Sequence, residues 1–400
     1  MMNKIDITED KSLLLKNGKI LDITDGKTVS KDILINKGKI VKLGKINDID
    51  NYHIIDCKNH IITQSFIDIH THFQTPGVGD QETLVSGSNA ALSGGYSKVC
   101  IMPNTNPVID KPELIDFILD EASSLPIDIY PIGAITKKLE GIELAEIGSM
   151  VNSGAVAISD AYSPIMNSQV MRYALEYAKM FDIPVINHPQ DMNLVNNGVM
   201  NESSISNSLG LEGNPRISES IMINRDLEIA NYIKGKLHIP NITCSNSISL
   251  IDRYKNNNFS LTCEISPQNL FFSDKNLIDY DTNFKLSPPL RSVEDKKKLI
   301  KGLKDGVIDC IASCHYPQRN DDKEKDFNNA EFGIISLETA FAATNTILSE
   351  ENFSFKSIIE LFSLNPSKIF NIPLSEIKIN SNAELVIIDP NKEWVFSKDD

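Results

Sequence analysis

A chain of 400 residues with 41% hydrophobic and 23% charged side chains has an ordinary globular composition, and it is long enough for a barrel of ~250 residues plus an appendage. A formal net charge of −15 argues against nucleic acid or an anionic membrane surface as a partner. Residues 1–11 hold no apolar signal core, no run is long enough to span a bilayer, and the six cysteines form no C-x-x-C pair, so a cytoplasmic protein with reduced thiols is expected.

Residues 12–60 alternate short apolar runs with Asn-Gly and Lys-Gly turns, which predicts a small antiparallel β unit. A further strand at 383–390 is placed to join it, so both chain ends (1–60 and 376–400) are expected to build one small β domain. Between them, over 61–375, strands and helices alternate. Strands are predicted at 61–72, 97–102, 127–135, 155–159, 183–188, 237–243, 261–265 and 308–315. Helices are predicted at 81–93, 112–123, 142–151, 168–181, 218–234, 248–255, 293–303, 335–348, 355–363 and 366–370. That alternation is the pattern of an α/β (β/α)8 TIM barrel, and no glycine-rich dinucleotide or phosphate loop follows any strand.

On the first strand, residues two apart face the same way, so Asp68, His70 and His72 share a face just before a Pro-Gly turn. Two imidazoles so spaced can grip one metal ion, although two core histidines on a strand would read the same way. Reactive groups of a barrel gather at the C-terminal ends of its strands. Those ends carry His70 and His72, Asn104, Asp160, His188, Asn241, and Cys314 with His315. His53 and His60 read as surface residues of the β unit, and His238, at the start of strand six, as a structural histidine.

With these motifs the chain resembles the amidohydrolase superfamily and, within it, the long-chain (type I) dihydroorotases. The resemblance runs from about Ser12 to Phe396 and rests on six stretches in order. They are Phe66-Ile67-Asp68-Ile69-His70-Thr71-His72, Met102-Pro103-Asn104-Thr105-Asn106-Pro107, Pro131-Ile132-Gly133-Ala134-Ile135-Thr136, Gly198-Val199-Met200-Asn201-Glu202, Leu286-Ser287-Pro288-Pro289-Leu290-Arg291 and Phe332-Gly333-Ile334-Ile335-Ser336-Leu337-Glu338-Thr339-Ala340. The resemblance implies reversible ring opening of dihydroorotate to N-carbamoyl-aspartate, with two zinc ions sharing a bridging hydroxide and a strand-eight aspartate shuttling the proton. It also implies further strands beyond Asp400.

The same resemblance marks what is missing. The family's Asp-Asp-Gly turn after strand four reads Asp160-Ala161-Tyr162 here, so Ala161 stands for the bridging carboxylate. The strand-six histidine falls on Asn241 and the strand-eight aspartate on Cys314. The arginine that grips the substrate carboxylate falls on Gln74, while Asn104, a second substrate contact, and His315 are kept. Alanine offers no ligand, asparagine is a poor substitute for imidazole at zinc, and loss of the general acid/base alone removes a typical 10²–10⁴-fold. A scaffold kept with its chemistry removed implies a dihydroorotase-like protein of pyrimidine biosynthesis whose activity is lost or impaired, in a homo-oligomer or supporting assembly of aspartate transcarbamoylase. The alternative is an active cyclic amidohydrolase with one zinc on His70, His72, His188 and Cys314 and with Asp160 as base, rather than with none. Hydantoin or allantoin hydrolysis ranks last, because relatives of that kind use a carbamylated lysine and strand four ends on Ile158-Ser159-Asp160.

Overall fold

The computed structural model describes residues 12–24, 26–47, 52–77, 79 and 81–397, so the expectation for 1–11 lies outside the described residues. Two four-stranded sheets carry the β unit. One runs in the order Lys39–Gly44, Asp32–Asn36, Ser12–Lys16, Tyr52–Asp56; the other in the order Leu385–Ile388, Ile61–Gln64, Lys19–Asp22, Lys27–Ser30. Leu15, Ile20, Ile33, Ile40, Ile62 and Ile377 form its buried core. The unit is mixed and not purely antiparallel: Ser12–Lys16 runs parallel to Tyr52–Asp56, and Lys19–Asp22 parallel to Ile61–Gln64. Parallel neighbours need a crossover, which turn residues alone do not reveal.

The predicted strand 61–72 is two strands. Ile61–Gln64 pairs antiparallel with Leu385–Ile388 of the β unit. Ser65 donates its N–H to the Glu384 carbonyl, and the next residue, Phe66, donates to the Gly95 carbonyl. The chain therefore changes sheets at Ser65, within the polar triplet Thr63-Gln64-Ser65 that separates two apolar runs.

From there, Phe66–Thr71 pairs parallel with Tyr96–Ile101, which pairs parallel with Asp128–Pro131. A second parallel series runs Ile158–Ser159, Val185–Ile186, Leu237–Ile239, Leu261–Ile265, Cys310–Ile311. Parallel bridges Gly133–Ile158 and Thr71–His315 join the two series at both margins, so these strands follow one another around a ring in chain order. Helices Leu84–Ser93, Pro112–Ala122, Ile147–Ser153, Ser168–Met180, Ile217–Ile233, Ser245–Lys255 and Val293–Lys304 lie between successive strands. Three of them start where the sequence offers a cap: Thr83, Asn167 and Ser292 each accept a backbone N–H of the first turn. The region after strand five is less loop-like than predicted, with short helices Met192–Val195 and Ser204–Leu209 flanking a small bridge between Met200–Asn201 and Gly213–Asn214. No helix among the described residues is long and apolar enough to cross a membrane.

Candidate active site

The C-terminal ends of the ring strands are held by buried carboxylates that face backbone. Asp68 accepts the N–H of His70 and that of Ser313, tying strand one to the strand-eight turn. Asp160 accepts the N–H groups of Ile135 (2.8 Å) and Thr136 (2.9 Å) and the Thr136 hydroxyl. Glu219, from the helix after strand five, accepts the N–H groups of Thr243 and Cys244 and the hydroxyls of Thr243 and Ser247. Burial pushes Asp68 and Asp160 up to about 6 each, against the pull of these hydrogen bonds. Asp160 is thus saturated and turned toward the strand-three loop. Asp160, expected as a base, has both oxygens engaged by Ile135 and Thr136 and buttresses a turn in this structure.

Beyond these buttresses, three turns carry left-handed residues: Ala161 (φ 50°), Asn241 (φ 47°) and Cys314 (φ 52°). Only asparagine visits this region readily. These are the three positions where the resemblance places lost ligands.

The expected quartet of His70, His72, His188 and Cys314 is not assembled. His70 Nδ1 lies 2.5 Å from Glu264 Oε1 and 3.7 Å from Cys314 Sγ. Glu264 Oε2 in turn accepts from His238 Nε2 at 3.1 Å, and His238 Nδ1 meets Thr262 Oγ1. Although burial pushes Glu264 up, the two imidazoles beside it together hold it down at about 2, so it is a carboxylate. His72 turns its Nδ1 to Asn104 Oδ1 (2.7 Å), and His188 turns Nε2 to Gln190 Oε1 (2.8 Å) and Ser287 Oγ (3.3 Å). Burial drives the His72 imidazole well below the usual histidine range and His188 to about 4, so both are neutral near pH 7. Among the described residues, the group whose donor atoms all lie within 4.8 Å of one another is His70, Glu264 and Cys314.

Two aromatic rings fill the mouth. Tyr162, the third residue of the turn in which the family carries glycine, stacks on His72 (ring centres 4.8 Å apart, planes 15° apart) and meets His188 edge-on at 5.3 Å. Tyr316 lies 4.5 Å from His72 and stacks on Tyr162 at 5.3 Å. The remaining cavity, lined by Tyr162, Asn241, Gln268, Ser287 and Cys314 among others, is about 10 Å³, room for roughly one water. Ligand pockets usually run to ~300–1,000 Å³. The residues do not fit a two-metal centre. His72 Nε2 is buried without a hydrogen-bond partner, as an unligated metal donor would be, yet it faces tyrosine rings, Ala161 offers nothing to bridge with, and His188 is spoken for.

The other expected site residues are placed as follows. Cys314 is buried, and burial raises its thiol well above the usual range, so it is protonated and cannot take the place of the aspartate as acid/base. His315, expected to contact substrate, has Nε2 3.1 Å from Glu82 Oε2, its Nδ1 accepts the N–H groups of Ser336 and Leu337, and its ring is fully buried. Gln74 is half-buried on the strand-one loop and donates its N–H to the Glu82 carbonyl. Asn104 stays at the mouth beside His72. Sequence reasoning missed Glu264, Tyr162, Tyr316 and Gln268. An acidic residue inside Leu261-Thr262-Cys263-Glu264-Ile265, on the same face of the strand as Thr262, was the available signal for the first. The tyrosines gave none, because what they fill is visible only in three dimensions.

Residues 59–247 match the Dihydro-orotase-like family model. The chain is 41% identical over 388 residues to the dihydroorotase of Caldicellulosiruptor saccharolyticus, covering 96% of this chain and 90% of the relative. It is 37% identical over 391 residues to the dihydroorotase of Aquifex aeolicus, covering 97% and 92%. Among solved structures it is similar to a D-hydantoinase (TM-score 0.82, 21% identity, 97% of this chain and 88% of that one) and to the L-hydantoinase of Arthrobacter aurescens (TM-score 0.80, 20% identity, 93% and 86%). At such identities the hydantoinases speak for a shared α/β fold alone. The identity over nearly the whole length of the relatives speaks for more, and the chain belongs to the dihydroorotase-like family of amidohydrolases.

Proposed function

We propose that this protein is a dihydroorotase-like (β/α)8 barrel that does not turn over dihydroorotate, working in the cytoplasm as an assembly or scaffold partner in pyrimidine biosynthesis. The observation that carries the reading is Tyr162: its ring occupies the space between His72 and His188 in which a metal-bound nucleophile and a cyclic amide would have to sit. The chemistry of the turns supports it. Ala161 and Asn241 cannot supply the bridging carboxylate and the imidazole, the Cys314 thiol cannot serve as acid/base near pH 7, and Gln74 lacks the charge to hold a carboxylate. The remaining role is structural: a second copy of this chain and the aspartate transcarbamoylase of the same cell are the partners proposed. Purified protein with added zinc is expected to open no dihydroorotate and to close no N-carbamoyl-aspartate; steady turnover in either direction would sink the reading. Co-expression with that transcarbamoylase is expected to give one peak in size-exclusion chromatography, and two separate peaks would remove the partner.

A further inference from the structure

The geometry points to a single-ion site on His70, Glu264 and Cys314, deeper than the tyrosine-filled mouth and on a donor set other than the two-metal one. This goes beyond the absence of turnover, which it neither needs nor predicts. Three observations carry it. The first is spacing. Cys314 Sγ lies 3.7 Å from His70 Nδ1, and a tetrahedral zinc with Zn–S of about 2.3 Å and Zn–N of about 2.0–2.1 Å holds such a pair roughly 3.5 Å apart. The Glu264 oxygen, 2.5 Å from the same nitrogen, has to open by less than about 1 Å to admit the ion.

The second is charge. A thiolate and a carboxylate together neutralise a dication, so a buried centre of one neutral imidazole, Cys314 thiolate and Glu264 carboxylate carries no net charge. Binding releases the thiol proton, and the His70 hydrogen moves from Nδ1 to Nε2, which keeps the imidazole neutral. His238, held by Thr262, donates to the other Glu264 oxygen and fixes the carboxylate in the orientation that a metal needs. A thiolate among the donors selects a zinc-like ion over calcium or magnesium.

The third is an orphan. Gln268 Oε1 is buried and has no hydrogen-bond partner, and Gln268 and Cys314 both line the one-water cavity. A water there would take the fourth position on the ion and donate to Gln268. Tyr162 closes the cavity on its outer side, so the ion would tie strands one, seven and eight together without meeting substrate.

The test is zinc stoichiometry by mass spectrometry after dialysis against zinc and then against metal-free buffer. The native chain is expected to keep about one zinc and Cys314→Ala and Glu264→Gln none, while His238→Gln weakens zinc affinity ~10–100-fold. Loaded with cobalt(II), the native protein should show a thiolate-to-cobalt charge-transfer band that Cys314→Ala lacks. Should Glu264→Gln fail to fold, the band and Cys314→Ala decide alone, since an alanine replaces a small buried side chain. Zinc absent from the native chain, or kept equally by Cys314→Ala, overturns the site. Two ions per chain would also overturn it, and none of these metal results bears on the function proposed above, which turnover or the chromatography would overturn.

Discussion

Two sides of the mouth of the strand ring behave differently. On the side of strands one, two and seven the polar side chains are kept and engaged: Glu264 holds His70 and His238, and Asn104 holds His72. On the side of strands four, six and eight the strand-end turns present Ala161, Asn241 and Cys314. All three sit in the left-handed region. An alanine or cysteine there costs roughly 1–2 kcal/mol against an extended or helical backbone. The difference teaches that turn geometry and metal chemistry are separately encoded. Asp160, Glu219 and the Asp68–Ser313 link fix the turns through backbone N–H groups, so the turns do not depend on the side chains they present.

The hardest way to break the first side is to remove its shared anion. Glu264→Ala leaves two buried imidazoles without an acceptor, and breaking a buried pair of this kind typically costs about 3–5 kcal/mol. Urea unfolding should show that loss in the midpoint; a variant as stable as the native chain would mean the cluster is not held as described.

On the second side the corresponding experiment is a pH series on Asp160. Its folded value is raised to about 6 from the usual 3.8. A raised carboxyl favours the folded state in its protonated form, so its contribution is fully present below about 3.8 and is lost as pH rises through about 6. Two units correspond to about 2–3 kcal/mol. In Asp160→Asn the amide oxygen still accepts from Ile135 and Thr136, and that part of the pH dependence should vanish. If native and variant stabilities run parallel between pH 4 and 7, the carboxyl does not titrate inside the fold.

How much of this was legible in the sequence follows the same division. The order of strands and helices was, because apolar period and caps are local. The switch of sheets at Ser65 was not, because the partner strands Leu385–Ile388 and Tyr96–Ile101 are far away in the chain. His70, His72, His188 and Cys314 were each placed at strand ends, but four donors at one end of a ring do not have to face one point. Here Gln190, Asn104 and Glu264 divide three of them. Asp160 looked like a free carboxylate because its partners, Ile135 and Thr136, contribute backbone, which has no signature in sequence.

The mildest test asks whether the second side tolerates its backbone by residue choice. Asn241 sits at φ 47° and accepts from Asn269 Nδ2 at 3.1 Å, while Ala161 sits at φ 50° with a bare methyl. Asparagine enters the left-handed region at little cost and alanine does not. Asn241→Ala therefore loses a hydrogen bond and gains strain, for a loss of about 1–2 kcal/mol. Ala161→Asn runs the other way in strain, yet it must find room beside Tyr162, so its gain should stay under about 1 kcal/mol. Thermal melts of the two single variants give the sign of each change. Opposite signs would mean that the turn's conformation sets the preference. Equal losses would mean that packing against the tyrosines does, and that the left-handed turns persist only because the mouth is full.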